Sequence, residues 1–238
     1  MAIRKIIAER PIINVVDVIG DLVDSIRETN TISSSVEAAT VYTITSENSL
    51  TLNEYIKIDD VVYIVSAPTA VSFNITGVTG IDFTGKTWKS QWPYYDHGHI
   101  IEIAGTLTTK SNGPDKMKKY PLVCLIEDFE STSIPGVAPV QSTLNMLIVT
   151  RTDKNYKASK RYEFSFDPVL IPIYLNLIKA FVSSGAILTQ YGIIPHTPIN
   201  RVYSGKQGPY GVIGHIFNDP LDAIEIKDIE VKFYRTNC

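Results

Sequence analysis

The chain has 238 residues, a net charge of −3 and a hydrophobic share of 44 %. That length allows one large or two small domains, with about 70–75 % of the unfolded surface buried on folding. The charge balance gives no broad electrostatic reason to expect tight duplex nucleic-acid binding. Of its two cysteines, Cys124 sits in the apolar run LVCLIE and Cys238 is the last residue, a usage that fits a reducing compartment better than a disulfide framework.

The opening MAIRKIIAERPIINVVDVIG is interrupted by Glu9, Arg10 and Asp17, so neither a secretion signal nor a membrane span is expected there. Pro11–Thr29 reads as an amphipathic helix: Ile12, Val15, Val16, Ile19, Leu22, Val23 and Ile26 share one face, and Asp17, Asp21, Asp24 and Arg27 take the other. From Val36 to about Ser111 the texture changes to short strands between turn residues. Val41–Ser46, Tyr55–Ile58, Val61–Val65, Ala70–Ile75 and Ile100–Thr109 are the expected strands, and Asp59-Asp60 has the spacing of a two-residue hairpin. Residues 36–111 are therefore expected to form an inserted all-β module, a barrel or sandwich.

After Gly113-Pro114 the pattern is mixed. Leu122–Ile126 is apolar throughout, as a strand covered on both faces should be, and Leu144–Val149 resembles it. Asp167-Pro168 reads as an N-cap followed by proline at the first helical position. Gly185 stands at the expected C-terminal cap. In Ile224–Phe233 the apolar positions switch from even to odd numbers between Ile226 and Ile229, which predicts a bulge at Lys227-Asp228. The expected fold is α+β. Residues 1–35 and 112–238 form a discontinuous core with a small antiparallel sheet and two principal helices, and the β module interrupts it.

Three constellations could carry chemistry. Gly80–Thr87 (GIDFTGKT) matches the phosphate-loop pattern GxxxxGK[ST], with Lys86 as the phosphate-contacting lysine. Such a loop must open a helix, however, and Trp88–Pro93 follows here. His97-Gly98-His99 with Glu102 resembles the HxH…E metal motif of cupins, but the glutamate is one residue too near. The expectation is accordingly no metal, no cofactor and no catalytic residue. The aromatics Trp88, Trp92, Tyr94 and Tyr95 read as an interface, a core or a sugar- or nucleic-acid-stacking platform, with nucleic-acid stacking ranked last for want of interleaved basic residues.

The YPLVCLIEDF strand, the LNMLIVTRTD strand, the linker YKASKRYEFSFDP, the long helix after it and the closing DAIEIKDIEVKFY together resemble the tail-terminator and tail-completion proteins at the neck of tailed bacteriophages. The resemblance covers about half the chain and concerns element order and texture. It implies a homo-oligomeric ring of six or twelve subunits at the head–tail junction, assembled in the host cytoplasm and bound to portal, connector or tail proteins. DNA would pass through its channel without specific binding, and no membrane would be involved. Trp88, Trp92, Tyr94, Tyr95, Tyr203 and Tyr210 are the candidate contact residues. The rival readings are a carbohydrate- or surface-binding protein using the same aromatics, and a metal- or nucleotide-dependent enzyme built on His97, His99 or Lys86.

Overall fold

A computed structural model describes residues 15–50, 52–111, 119–127, 131–132, 140–185, 187, 189, 192–203 and 217–233. The chain is a mixed α+β protein, with three helices and three sheets among the described residues. Its elements run α1 (Val15–Ser25), β1 (Thr29–Thr31), β2 (Ser34–Ala38), β3 (Val41–Thr45), β4 (Tyr55–Ile58), β5 (Val61–Ile64), β6 (Ser72–Thr76), β7 (Thr87–Ser90), β8 (Tyr94–Gly98) and α2 (Ile100–Ser111). They continue with β9 (Leu122–Ile126), β10 (Ser131–Thr132), β11 (Val140–Arg151), α3 (Ala158–Ser183), β12 (Thr197–Tyr203) and β13 (Leu221–Phe233). These described residues fall into two compact units: Arg27–Pro93, and the remainder on either side of it. The unit boundaries differ from the expected 36–111. β1 pairs with β7, which draws the start of the unit back to Arg27, whereas β8 pairs with β9 and belongs to the other unit.

The larger unit is built on a mixed sheet of order β12-β13-β11-β9-β8, with β10 on β11. Its strands pair antiparallel except β8 and β9, which are parallel and joined through α2. All five residues of β9 are buried, as its apolar run requires. Val123 and Leu125 face a cluster with Ile19 and Leu22 of α1 and Leu177 and Phe181 of α3. Leu122, Cys124 and Ile126 face a second cluster with Ile100, Ile103 and Leu107 of α2. Gly20 lets α1 approach closely: a Cβ there would meet the Tyr95 ring at 3.1 Å.

The bulge expected in the last strand is present. Leu144 pairs with Ile229 and Met146 with Ile226, so Lys227-Asp228 together oppose Asn145. Asp228 has φ +55° and its N–H donates to Asn145 Oδ1 at 3.2 Å. The extra residue restores the inward direction of Ile229 and Val231 after the switch in numbering.

Two expectations are corrected. Ile100–Ser111 is a helix, not a strand. His99 and Glu102 cap its start, and Ile100, Ile103, Ala104 and Leu107 follow helical spacing into the second cluster. The long helix α3 begins at Ala158, ten residues ahead of the expected Asp167-Pro168 start. Pro168 lies instead in a π-helical stretch, Tyr162–Leu170, where the Ile171 N–H donates to the Phe166 carbonyl. The wider turn accommodates a proline that would break α-helical hydrogen bonding. At its far end Gly185 takes φ +64°, the left-handed cap expected of it.

In the Arg27–Pro93 unit, one sheet runs β1-β7-β4-β5 and the other β2-β3-β6. They are linked by the Ser66–Asn74 bridge and by the short connection from β1 to β2. Asp59 (φ +47°) and Asp60 (φ +70°) form the predicted tight turn between β4 and β5. Both residues occupy the left-handed region that a type I′ hairpin demands. The core is aromatic: Phe83 meets Tyr42 and Tyr63 edge-on at 4.9 and 5.6 Å, and Phe73 meets Trp88 at 5.6 Å.

Candidate functional site

The phosphate-loop-like segment is a connection between β6 and β7. Its Thr87 opens a strand, so it lacks the helix N-terminus that would gather backbone amides around a phosphate. Asp82 Oδ1 accepts from the Thr84 N–H at 2.8 Å and from Ser35 Oγ at 3.0 Å, and these bonds, Thr84's first, hold its carboxyl below the ordinary value. Lys86 Nζ lies 2.7 Å from Asp59 Oδ2, and that hydrogen bond raises the ammonium pKa. The lysine ties the loop to the β4–β5 turn.

The histidine motif separates into two structures. His97 on β8 pairs through Nδ1 with Glu127, just past β9. His99 is the N-cap of α2: its Nδ1 accepts from the Ile101 N–H at 3.3 Å, while Glu102 Oε2 accepts from the His99 N–H at 3.0 Å. This reciprocal pair is a capping box with histidine in place of serine or threonine. Gly98 between them has φ +136°, and a Cβ there would sit 3.1 Å from Glu102 Oε2. Among the described residues no group of three or more His, Cys, Asp or Glu side chains is placed to hold a metal ion.

The aromatic candidates do not form one surface. Trp88 is fully buried in the β-unit core and its Nε1 donates to Ser46 Oγ at 2.9 Å, so it offers no contact face. Trp92 is half-buried, with its indole nitrogen shielded from solvent. Tyr94 packs against the α2 cluster. Tyr95 packs against α1 and donates to the Val16 carbonyl at 2.9 Å, its hydroxyl pKa pushed up chiefly by burial. Tyr203 pairs in β12 with Leu221 of β13, and Tyr210 lies outside the described residues.

Three polar sites that the sequence did not reveal tie distant segments together. Arg161 Nη1 lies 2.8 Å from Asp222 Oδ1, both buried, and Arg161 Nε donates to the Tyr156 carbonyl at 2.9 Å. Lys119 Nζ and Tyr120 Oη both donate to Asp219 Oδ2, the hydroxyl at 3.0 Å. Buried Glu225 faces Arg201 at 3.1 Å and Lys227 at 3.3 Å. By length and composition α3 could cross a membrane. Here its Leu170, Leu177 and Phe181 cover the sheet, and Arg161 is fixed to β13.

Exposed apolar side chains mark the surface of the Arg27–Pro93 unit. On β5, at one end of its four-stranded sheet, Tyr63 turns inward while Val61, Val62 and Ile64 remain 52 %, 44 % and 50 % exposed. Val36, Val41, Val71 and Val78 are also exposed. The doubled valine of VVYI was the available signal, since strict alternation cannot bury both. Comparison of the chain with family models, curated proteins and solved structures finds no match in any of the three.

Proposed function

We propose that this protein is a non-enzymatic structural component of the head–tail junction of a tailed bacteriophage. It forms a ring of six or twelve copies that joins the portal or connector to the tail, or terminates the tail, with a channel for DNA. The α+β unit is the annulus, in the arrangement of tail-terminator proteins, and the β unit latches onto neighbouring proteins.

The observation that carries the reading is the exposure of Val61, Val62 and Ile64 on β5, at the end of the four-stranded sheet of the β unit. Apolar side chains on a strand at the end of a sheet invite pairing with another chain, and such surfaces mark interaction sites. A ring also needs two different matching faces on each subunit, which suits a protein made of two dissimilar units. The mildly acidic net charge suits a channel that must release DNA.

The test combines negative-stain imaging with solution mass for the intact chain and for V62K/I64K. Closed rings of six or twelve with a central channel are expected, and the variant should keep the subunit fold while losing contacts made by the β unit. Monomers in solution that also fail to associate with purified connector or tail particles would overturn the reading.

A further inference from the structure

The segment Arg151–Phe164, which leaves β11 and opens α3, carries five cations and two acids in a chain whose net charge is −3. Only one of the five turns inward: Arg161 is buried against Asp222. Arg151, Lys154, Lys157 and Lys160 are exposed, and among the described residues the three lysines form no ion pair. Beside them Phe164 is 53 % exposed and Tyr156 is half-buried. The rings are ordered among themselves. Tyr156 and Phe164 have centroids 5.6 Å apart, and Lys160 Nζ lies 5.9 Å over the Tyr156 ring.

The backbone beneath this surface is fixed. The Tyr156 N–H donates to the Asp153 carbonyl at 3.0 Å, the Asn155 N–H to Asp153 Oδ1 at 2.8 Å, and the Tyr156 carbonyl accepts from buried Arg161. Lys154 thus lies within, and Lys157 directly after, a turn held in place by these bonds. Unneutralised lysines interleaved with the paired Tyr156 and Phe164 rings on an ordered support match the chemistry of a single nucleic-acid strand, whose phosphates take the cations and whose bases stack on aromatic faces. A protein partner fits less well, because lysine is depleted from the centres of protein interfaces. A duplex would use the lysines and leave the rings idle.

We propose that Lys154, Lys157, Lys160, Tyr156 and Phe164 form a docking site for single-stranded nucleic acid, without sequence preference. The site lies within one subunit, so it does not depend on ring formation. Three phosphate contacts give a salt dependence of log K on log salt of about −2.

The test is fluorescence anisotropy of a labelled oligothymidine with the full chain at 50 and 200 mM salt, beside a duplex of equal length and a polyglutamate peptide. Single-strand binding with that salt slope is expected, weakened about tenfold or more in K154E/K157E/K160E and about fivefold or more in Y156A/F164A. K154Q/K157Q/K160Q, which adds no repulsion, should also weaken it, and circular dichroism checks that each variant is folded. Absence of binding, or binding unchanged in the charge variants, would overturn the site. Equal duplex affinity untouched by Y156A/F164A would overturn the single-strand assignment. Preferential capture of polyglutamate would make the surface a protein dock instead.

Discussion

Asp219 shows how one carboxylate holds together residues far apart in the chain. Burial on its own would raise its pKa. The hydrogen bond and charge of Lys119, then the bond from Tyr120, outweigh burial and bring the pKa below the ordinary value. A group whose folded pKa is depressed contributes stability that is present above its unfolded pKa, about 4, and lost as pH falls through the folded value. Thermal unfolding of the native chain and of Asp219→Asn, followed from pH 7 to pH 3, should therefore differ most near neutrality and converge at the acid end. A gap between the two that stays constant across that range would mean the carboxylate charge does not matter. Tyr120 moves the opposite way: burial, then the Asp219 charge, pushes its hydroxyl pKa up, so it remains a donor throughout this window.

At the scale of elements, what the sequence reveals depends on whether a signal is local. The Asp59-Asp60 turn, the Lys227-Asp228 bulge, the buried strand β9 and the Gly185 cap each depend on a few adjacent residues, and each was read correctly. Helix α2 is hidden in the sequence because Ile100, Ile103, Ala104 and Leu107 follow a run of short strands, and His99 reads as a metal ligand rather than a cap. The π-helical stretch of α3 is not legible in the sequence: proline normally ends a helix, and the packing of Phe166 before Pro168 and of Leu170 and Leu177 after it keeps this one continuous. Pairs such as Arg161–Asp222 and Lys119–Asp219 join positions too far apart for spacing to reveal. The capping reading of α2 has a direct consequence. His99→Ala should destabilise the protein by about 0.5–2 kcal/mol, whereas His99→Ser, a better acceptor for the Ile101 N–H, should restore the loss. Urea unfolding of both variants decides it, and equal stability of the alanine and serine forms would rule the cap out.

For the whole molecule, the decisive property is that the chain leaves one folded unit, completes another and returns. The two ends of Arg27–Pro93 lie together: the Ser90 N–H donates to the Glu28 carbonyl at 2.8 Å, and Arg27 Nε donates to the Pro93 carbonyl at 3.1 Å. The unit has its own core, in which Tyr42, Ile44, Ile56, Phe73, Ile75, Phe83 and Trp88 are buried together. Closed ends and a separate core are what an inserted domain needs in order to fold without its host. At this size only about 60 % of the unfolded surface is removed from water, so its stability should be modest and its aromatic core decisive. Residues 27–93 expressed alone should give a dispersed amide spectrum, a near-ultraviolet signal from Trp88 in its packed setting and a single cooperative thermal transition. Phe73→Ala, which removes the ring packed on Trp88, should cost about 3–5 kcal/mol and abolish that transition. An isolated segment without dispersion or a near-ultraviolet signal would mean that the unit acquires its fold only within the complete chain.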